Sequence, residues 1–394
     1  MAVALCTVPA VAFSVEGDKE HAPVIITMAD ENNTEAYTIN HGPYLQGVTY
    51  DGATVVFTTS HKGFSKVEVR KKGSSESRIC DSRRNGLIMA DNTHNVIDML
   101  GLEPATEYEY RIVSKRVVDF KPYKVTFGEE ITSEWYSFRT FDPKAKEFTF
   151  AVLNDIHDDS KKCSDLLDIQ PIDEVGMVFY NGDILSHYSE QGQPFSSFID
   201  VSVEKFAKHK PFAVVRGNHE TRGHFATSYL KYFPTSTGMP YYTLKQGDVF
   251  FILLDGGEDK PDSNIEYYET ANYDQYRLEE AEWLKKVLQS DECKNAKHRI
   301  VLMHMPPLNG NKMWHGPLHA AKCFLPLLNE ANIDVMLCGH THKYSYNTTP
   351  DKTDAKFPVL VNSNGAALKA VVNEEGIKIE VINTEGVVEH THKF

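Results

Sequence analysis

The sequence predicts two domains of different class: an all-β sandwich over residues 36–141, then an α/β domain over residues 145–394. Three observations predict this. Between Tyr37 and Arg139, short stretches rich in β-branched and aromatic residues alternate with turn-type residues. After Asp142-Pro143-Lys144, buried-looking strands alternate with polar helical stretches, the pattern of α/β layering. Five of these later apolar runs end in residue types that ligate metals. A chain of 394 residues is long enough for two full cores.

The elements follow in chain order. Residues 1–35 read as a lead-in. The opening MAVALCTVPAVAFS resembles the later part of a secretory signal without its basic start, and Ala10-Val11-Ala12 has the form of a cleavage site, so export is expected. Residues from about 15 to 35 are polar and acidic. The sandwich strands are GATVVFTTS, KVEVRKK, NVIDML, YEYRIVS and WYSFRTF. In the second domain, Arg277 to Leu288 reads as a helix with Leu278, Ala281, Leu284, Val287 and Leu288 on one face and Glu and Lys opposite. Trp283 is expected to pack on the sheet. The closing segments FPVLVNSNG, LKAVVN, IKIEVIN and VVEHTHKF read as strands joined by NEEG and NTEG turns, and should complete the second domain's sheets rather than form a third domain. His390-Thr391-His392 reads as an exposed tail. Asn32 and Asn347 open N-x-T sequons.

Composition removes several classes of function. The formal net charge of −14 argues against a broad basic face for nucleic acid. The six cysteines include no C-x-x-C pair, which argues against a zinc ribbon or dithiol redox motif. No apolar stretch reaches the roughly 18 residues of a membrane span. Nothing in the pattern fixes an oligomeric state.

The informative signal is where the later strands end. FTFAVLNDIH, VGMVFYNGD, FAVVRGNHE, IVLMHMPP and VMLCGHTH close on Asp155, His157, Asp183, Asn218, His304, His340 and His342. In open α/β sheets ligands bind beyond the carboxyl ends of strands. Stiff strand ends can hold side chains to the tolerance a metal needs. Seven side chains supply eight ligand positions if one carboxylate bridges, enough for two ions. Imidazole, carboxylate and amide oxygen together suit Fe, Mn or Zn, as divalent or mixed-valence pairs.

The order D-x-H, GD, GNHE, H, GH-x-H resembles the calcineurin-like metallophosphoesterase superfamily. The front module, with LEPATEYEYRI similar to a fibronectin type III strand entry and GPYLQG similar to its first strand, makes the purple-acid-phosphatase-like branch the best match. The resemblance implies a four-layer α/β/β/α sandwich behind a fibronectin type III-like domain. It implies one ion on Asp155, His157, Asp183 and His342, and another on Asp183, Asn218, His304 and His340, with Asp183 shared. It makes His219 the residue that protonates the leaving oxygen or stabilises the transition state. The implied reaction is hydrolysis of a small phosphate monoester or diester by a hydroxide between the ions. A nucleotide or phosphodiester hydrolase of narrower range, or a non-catalytic binding protein with a structural metal site, are the alternatives. Two positions depart from relatives of this kind. Ser186 stands where purple acid phosphatases carry a metal-bound Tyr, so no tyrosinate colour is expected. His187 stands where serine/threonine phosphatases carry an Arg. Candidate phosphate contacts are His187, Arg222, Trp314 and His315, with Tyr188 and His224 as further neighbours. The acidic stretch from Glu258 to Tyr276 reads as a specificity loop.

Overall fold

The computed structural model describes residues 35–394 apart from residues 311 and 312. The apolar opening segment, Cys6 and the Asn32 sequon lie outside the described residues.

The front region is a seven-stranded antiparallel assembly built on two long strands, Gly52–Lys71 and Glu107–Lys121. Sequence patterning divides the first of these into GATVVFTTS and KVEVRKK. The structure runs them together because the strand changes partners midway. Its first half pairs with Ile39–Gln46 and Asn92–Leu100, and its second half with Glu107–Lys121. A register shift between Thr58 and Gly63 marks the crossing. Alternate residues Val55, Phe57, Val67 and Val69 face one core with Ile97, Tyr110 and Ile112.

The second region holds two six-stranded sheets. One runs Phe212–Val215, Met177–Asn181, Phe148–Leu153, Ala366–Asn373, Gly376–Asn383 and Val388–Lys393. Its first three strands are parallel and the rest antiparallel. The other runs Tyr242–Gln246, Val249–Leu254, His298–Met303, Val335–Cys338, Val359–Val361 and Ser345–Asn347, with four parallel strands at its centre. The strands are continuous apolar runs because both faces of each sheet are covered. Phe150, Phe179, Phe251 and Leu302 point into the space between the sheets. Ala151 and Tyr180 point outward under Leu166, Phe198 and Phe206, while Ile252 and Met303 point outward under Leu284 and Phe324. The result is the four-layer α/β/β/α sandwich.

Between the sheets, Phe150, Phe179 and Phe251 meet pairwise at ring separations of 5.0–5.4 Å. Such pairs contribute about 0.5–1.5 kcal/mol each beyond area burial. They fix how the two sheets' carboxyl ends face each other. Asn181 Nδ2 donates to the Leu337 carbonyl at 3.0 Å and ties the two central strands at that end. The front region is docked by buried donors: Tyr44 Oη to the Tyr232 carbonyl and Gln46 Nε2 to the Phe212 carbonyl, both at 2.9 Å.

One local expectation changes. The helix spans Tyr273–Gln289, but its buried face carries Arg277, Glu280 and Leu284, while Leu278 is half-exposed. Arg277 and Glu280 widen the buried face because Glu280 accepts the Asp255 amide and Arg277 donates to the Gly256 carbonyl, while Ala281, Val287 and Leu288 pack on the core as expected. Trp283 packs on Tyr241 at 4.8 Å. As expected, the terminal His390 and His392 lie in an exposed closing strand, where they stack on Tyr344 and Tyr346 at 3.9 and 4.2 Å. No described helix is long and apolar enough to cross a membrane.

Candidate metal centre

Three of the five strand ends, those after Leu153, Asn181 and Cys338, turn sharply through left-handed backbone just where their polar residues begin. Asp155, His157, Asp183, His340 and His342 all have φ between 51° and 70°. Left-handed backbone at a non-glycine residue is uncommon, and five instances at one place mark stored strain. The loops hold each other in this form: the Asp155 amide donates to the Gly182 carbonyl and the His157 amide to the Asp183 carbonyl, both at 3.0 Å. Glycine precedes Asp183 for a steric reason as well. A Cβ on Gly182 would sit 2.4 Å from the His304 ring, and one on Gly217 would sit 2.3 Å from Asp183 Oδ1.

The seven side chains converge. His304 Nε2 lies 2.9 Å from Asp183 Oδ2 and 3.8 Å from Asp155 Oδ1. His342 Nε2 lies 3.2 Å from Asp155 Oδ1 and 3.1 Å from His157 Nε2. His340 Nδ1 lies 3.0 Å from Asn218 Oδ1. Asp155, His157 and His342 form one potential ligand group, and Asp183, His304 and His340 another. The second group is deep, with His304 1% exposed; the first opens outward, with the His342 side chain 46% exposed.

Other hydrogen bonds orient these groups from behind. His304 Nδ1 donates to the Asn181 carbonyl at 2.7 Å, which leaves Nε2 turned to the centre. Asp155 Oδ2 accepts from Asn154 Nδ2 and the His340 amide, which leaves Oδ1 inward. Asp183 Oδ1 accepts from the His219 amide at 2.9 Å. Buried Asp155 Oδ1 and His304 Nε2 make no hydrogen bond of proper geometry among the described residues; their short contacts are only with other members of the cluster. Orphaned buried polar atoms aimed at one point are what a cation site requires. The donor set of carboxylates, imidazoles and one amide oxygen suits divalent Fe, Mn or Zn.

The electrostatics follow. Burial disfavours charge on His304, but Asp183 and Asp155 outweigh it and hold its pKa up to about 10. Burial and the nearby His304 push His340 down to about 4. Burial also raises Glu220, with Asp183 adding to it, to about 7.

A calcineurin-like phosphoesterase family model matches residues 148–344, which runs from the first ligand strand to just past His342. The chain belongs to the calcineurin-like phosphoesterase family. It is similar to purple acid phosphatase 21 of Arabidopsis thaliana, 25% identical over 289 residues that make up 68% of this chain and 58% of the relative. It is also similar to probable purple acid phosphatase 20 of the same plant, 24% identical over 257 residues, 61% of this chain and 56% of the relative. The chain thus spans little more than half the length of these relatives. Among solved structures, purple acid phosphatase PPD1 from yellow lupin (Lupinus luteus) seeds superposes with a TM-score of 0.65 at 15% identity, covering 89% of this chain and 73% of that one. PhoD superposes with a TM-score of 0.58 at 14% identity, covering 89% and 88%. Both share the fold.

Within this phosphoesterase fold the other predicted residues lie as follows. His219 stands over the centre: its Nδ1 donates to the Ser186 carbonyl at 2.6 Å and its Nε2 lies 3.9 Å from Asp183 Oδ2. Arg222 Nη1 approaches His219 Nε2 at 3.1 Å, but the rest of its guanidinium is committed to Glu258 and Asp259. His187 is exposed on the loop after Asp183. Trp314 is half-exposed with the Lys260 ammonium over its ring, and His315 turns to Asp274 instead of the centre. Tyr188 is wholly buried against Tyr232 and Phe225, so it is not available to phosphate. The stretch after Asp255 is pinned at its start by Arg277, which donates to the Gly256 and Glu258 carbonyls.

Sequence reading missed one residue that matters. Glu220 is buried and accepts from the amides of Asp183, Leu185 and Gly217 at 2.7–2.9 Å. It clamps the Asp183 turn to the Asn218 turn. The signal was present in the final letter of GNHE, where a glutamate follows a buried strand with no surface role.

Proposed function

We propose that the chain hydrolyses phosphate monoesters or diesters with two metal ions held at this centre. Asp155, His157, Asp183 and His342 would hold one ion, and Asp183, Asn218, His304 and His340 the other. The observation that carries the reading is the position of Asp183. One oxygen is fixed by the His219 amide, the other faces His304, and Asp183 groups with His304 and His340 on one side and with His157 and His219 on the other. Fe, Mn or Zn ions bound there would neutralise phosphoryl charge and acidify solvent for attack.

The chain's own residues then do the positioning. Strand ends and their left-handed turns hold the ligands without reorganisation, which is where such sites obtain their electrostatic effect. His219 is held through Nδ1 by the Ser186 carbonyl, so Nε2 is the atom turned to the centre. As the imidazolium it would pass a proton to the leaving oxygen, which would then take the place of the Arg222 Nη1 contact. The Arg222–Glu258 pair steadies that ring. Substrate would enter from the side of His157 and His342, the more exposed ligands, and His187, exposed on the loop after Asp183, would contact it. Ser186 offers a carbonyl and no phenolate, so the loaded protein lacks tyrosinate colour. The front region serves as a packed companion domain, and export of the chain fits its opening segment.

Parallel assays with p-nitrophenyl phosphate and bis-p-nitrophenyl phosphate on metal-loaded protein test the reading. Turnover of at least one ester, lost in Asp183→Ala, supports it. Stoichiometric metal with no turnover of either ester would favour a binding protein that retains a structural site.

A further inference from the structure

The loop after Asp183 holds the ring of His219, and one carboxylate holds that loop. Asp158 follows His157 directly, with φ at 63°, and stands outside both candidate ligand groups. Its amide donates to the Ile184 carbonyl at 2.9 Å. Its Oδ2 accepts the Ser186 amide at 2.9 Å, and its Oδ1 accepts the Ser197 hydroxyl at 2.6 Å. Gln193 Nε2 donates to both oxygens, at 3.0 and 3.1 Å, while Gln193 Oε1 accepts the Ser189 amide at 3.0 Å. Two residues past Ser186, the Tyr188 amide donates to the Arg222 carbonyl at 2.6 Å. The Ser186 carbonyl, which accepts His219 Nδ1, therefore lies between two pinned amides. A carbonyl oxygen can only accept, so Nδ1 carries the hydrogen and Nε2 is left on the side of Asp183.

We propose that Asp158 is a positioning residue for proton transfer by His219: it fixes the Ser186 carbonyl, and through it the tilt of the imidazole over the centre. The inference rests on the hydrolytic reading above. In that reaction the imidazolium gives its Nε2 proton to the ester oxygen as the bond from phosphorus to the leaving group breaks. An oxygen from solvent takes that place on phosphorus. The ring is left neutral, with its remaining proton still on the Ser186 carbonyl. Asp158 suits the holding role because a hydrogen bond to an ionised acceptor is about twice as strong as a neutral one. The geometry it holds matters because a misplacement of about 1 Å can cost about 10²-fold in rate.

The test compares leaving groups. A dinitrophenyl ester departs without a proton, whereas a phenyl ester needs one. In metal-loaded protein, Asp158→Ala should keep its metal, lower kcat for the phenyl ester by about 10–100-fold and leave kcat for the dinitrophenyl ester and both KM values nearly unchanged. His219→Ala should show the same contrast, and adding Asp158→Ala to it should change little further. Asp158→Asn keeps one oxygen for the Ser186 amide, so its kcat for the phenyl ester should fall between; it decides the matter if Asp158→Ala loses fold or metal. A readout independent of turnover is the His219 Nδ1 proton in protein carrying isotope-labelled histidine, assigned by its loss in His219→Ala. It should be protected from exchange in the parent and lose protection in Asp158→Ala. Equal slowing of both esters, or unchanged protection of that proton, would reduce Asp158 to a brace of the loop and overturn the proposal. A parent chain that hydrolyses neither ester would instead overturn the hydrolytic reading, and the proton-transfer role with it.

Discussion

The chain writes His-Thr-His twice, at 340–342 and at 390–392, and the two copies sit on different backbones. The first follows the buried strand Val335–Cys338 and a glycine, and both of its histidines have left-handed φ, 70° and 58°. That turn throws both rings to the same side, toward Asn218 and Asp155. The second lies in the extended edge strand Val388–Lys393, where stacked Tyr344 and Tyr346 occupy its rings. Three identical letters therefore become two candidate ligands in one place and an aromatic ladder in the other. What separates them is the strained turn and the carboxylate facing it, not the spacing of the imidazoles.

If that is right, substitutions should grade by how directly they touch the turn-and-carboxylate arrangement. The largest effect is expected from Asp183→Ala, which should remove both ions and reduce ester hydrolysis to background, read by elemental analysis and assay. Next is His219→Ala, which should keep both ions and slow turnover by about 10²–10⁴-fold, as expected for a lost proton donor. Glu220→Gln should weaken metal binding by about 10–100-fold with smaller losses at saturating metal, because it supports the turns from behind; competition against a chelator measures this. His342→Ala should lower bound metal toward one equivalent, whereas His392→Ala should leave metal content and turnover unchanged and cost under about 1 kcal/mol in a denaturant titration. Equal effects of the last two variants on metal content would break the comparison.

The convergence of the strand-end side chains was legible because two independent patterns coincide: a buried strand needs a continuous apolar run, and a polar cluster right after it has few structural excuses. Apolar runs alternating with polar helical stretches made the α/β class legible, while the four-layer order was implied by the family resemblance and not by periodicity. What escaped was set by contacts distant in sequence. Arg277 and Glu280 lie inward because Asp255 and the Gly256 and Glu258 carbonyls need partners, and apolar periodicity cannot register that. Arg222 looked free to grip phosphate until Glu258, 36 residues away, proved to hold it. His315 stood near a ligand strand in sequence but faces a neighbouring helix. The long strand Gly52–Lys71 looked like two because its partner changes, and only the pairing reveals that.

The most direct measurement is anomalous diffraction from crystals of the Mn²⁺-loaded protein. The account predicts two peaks about 3.5–4 Å apart, with Asp183 between them. A single peak, or two peaks that share no Asp183 oxygen, would contradict it.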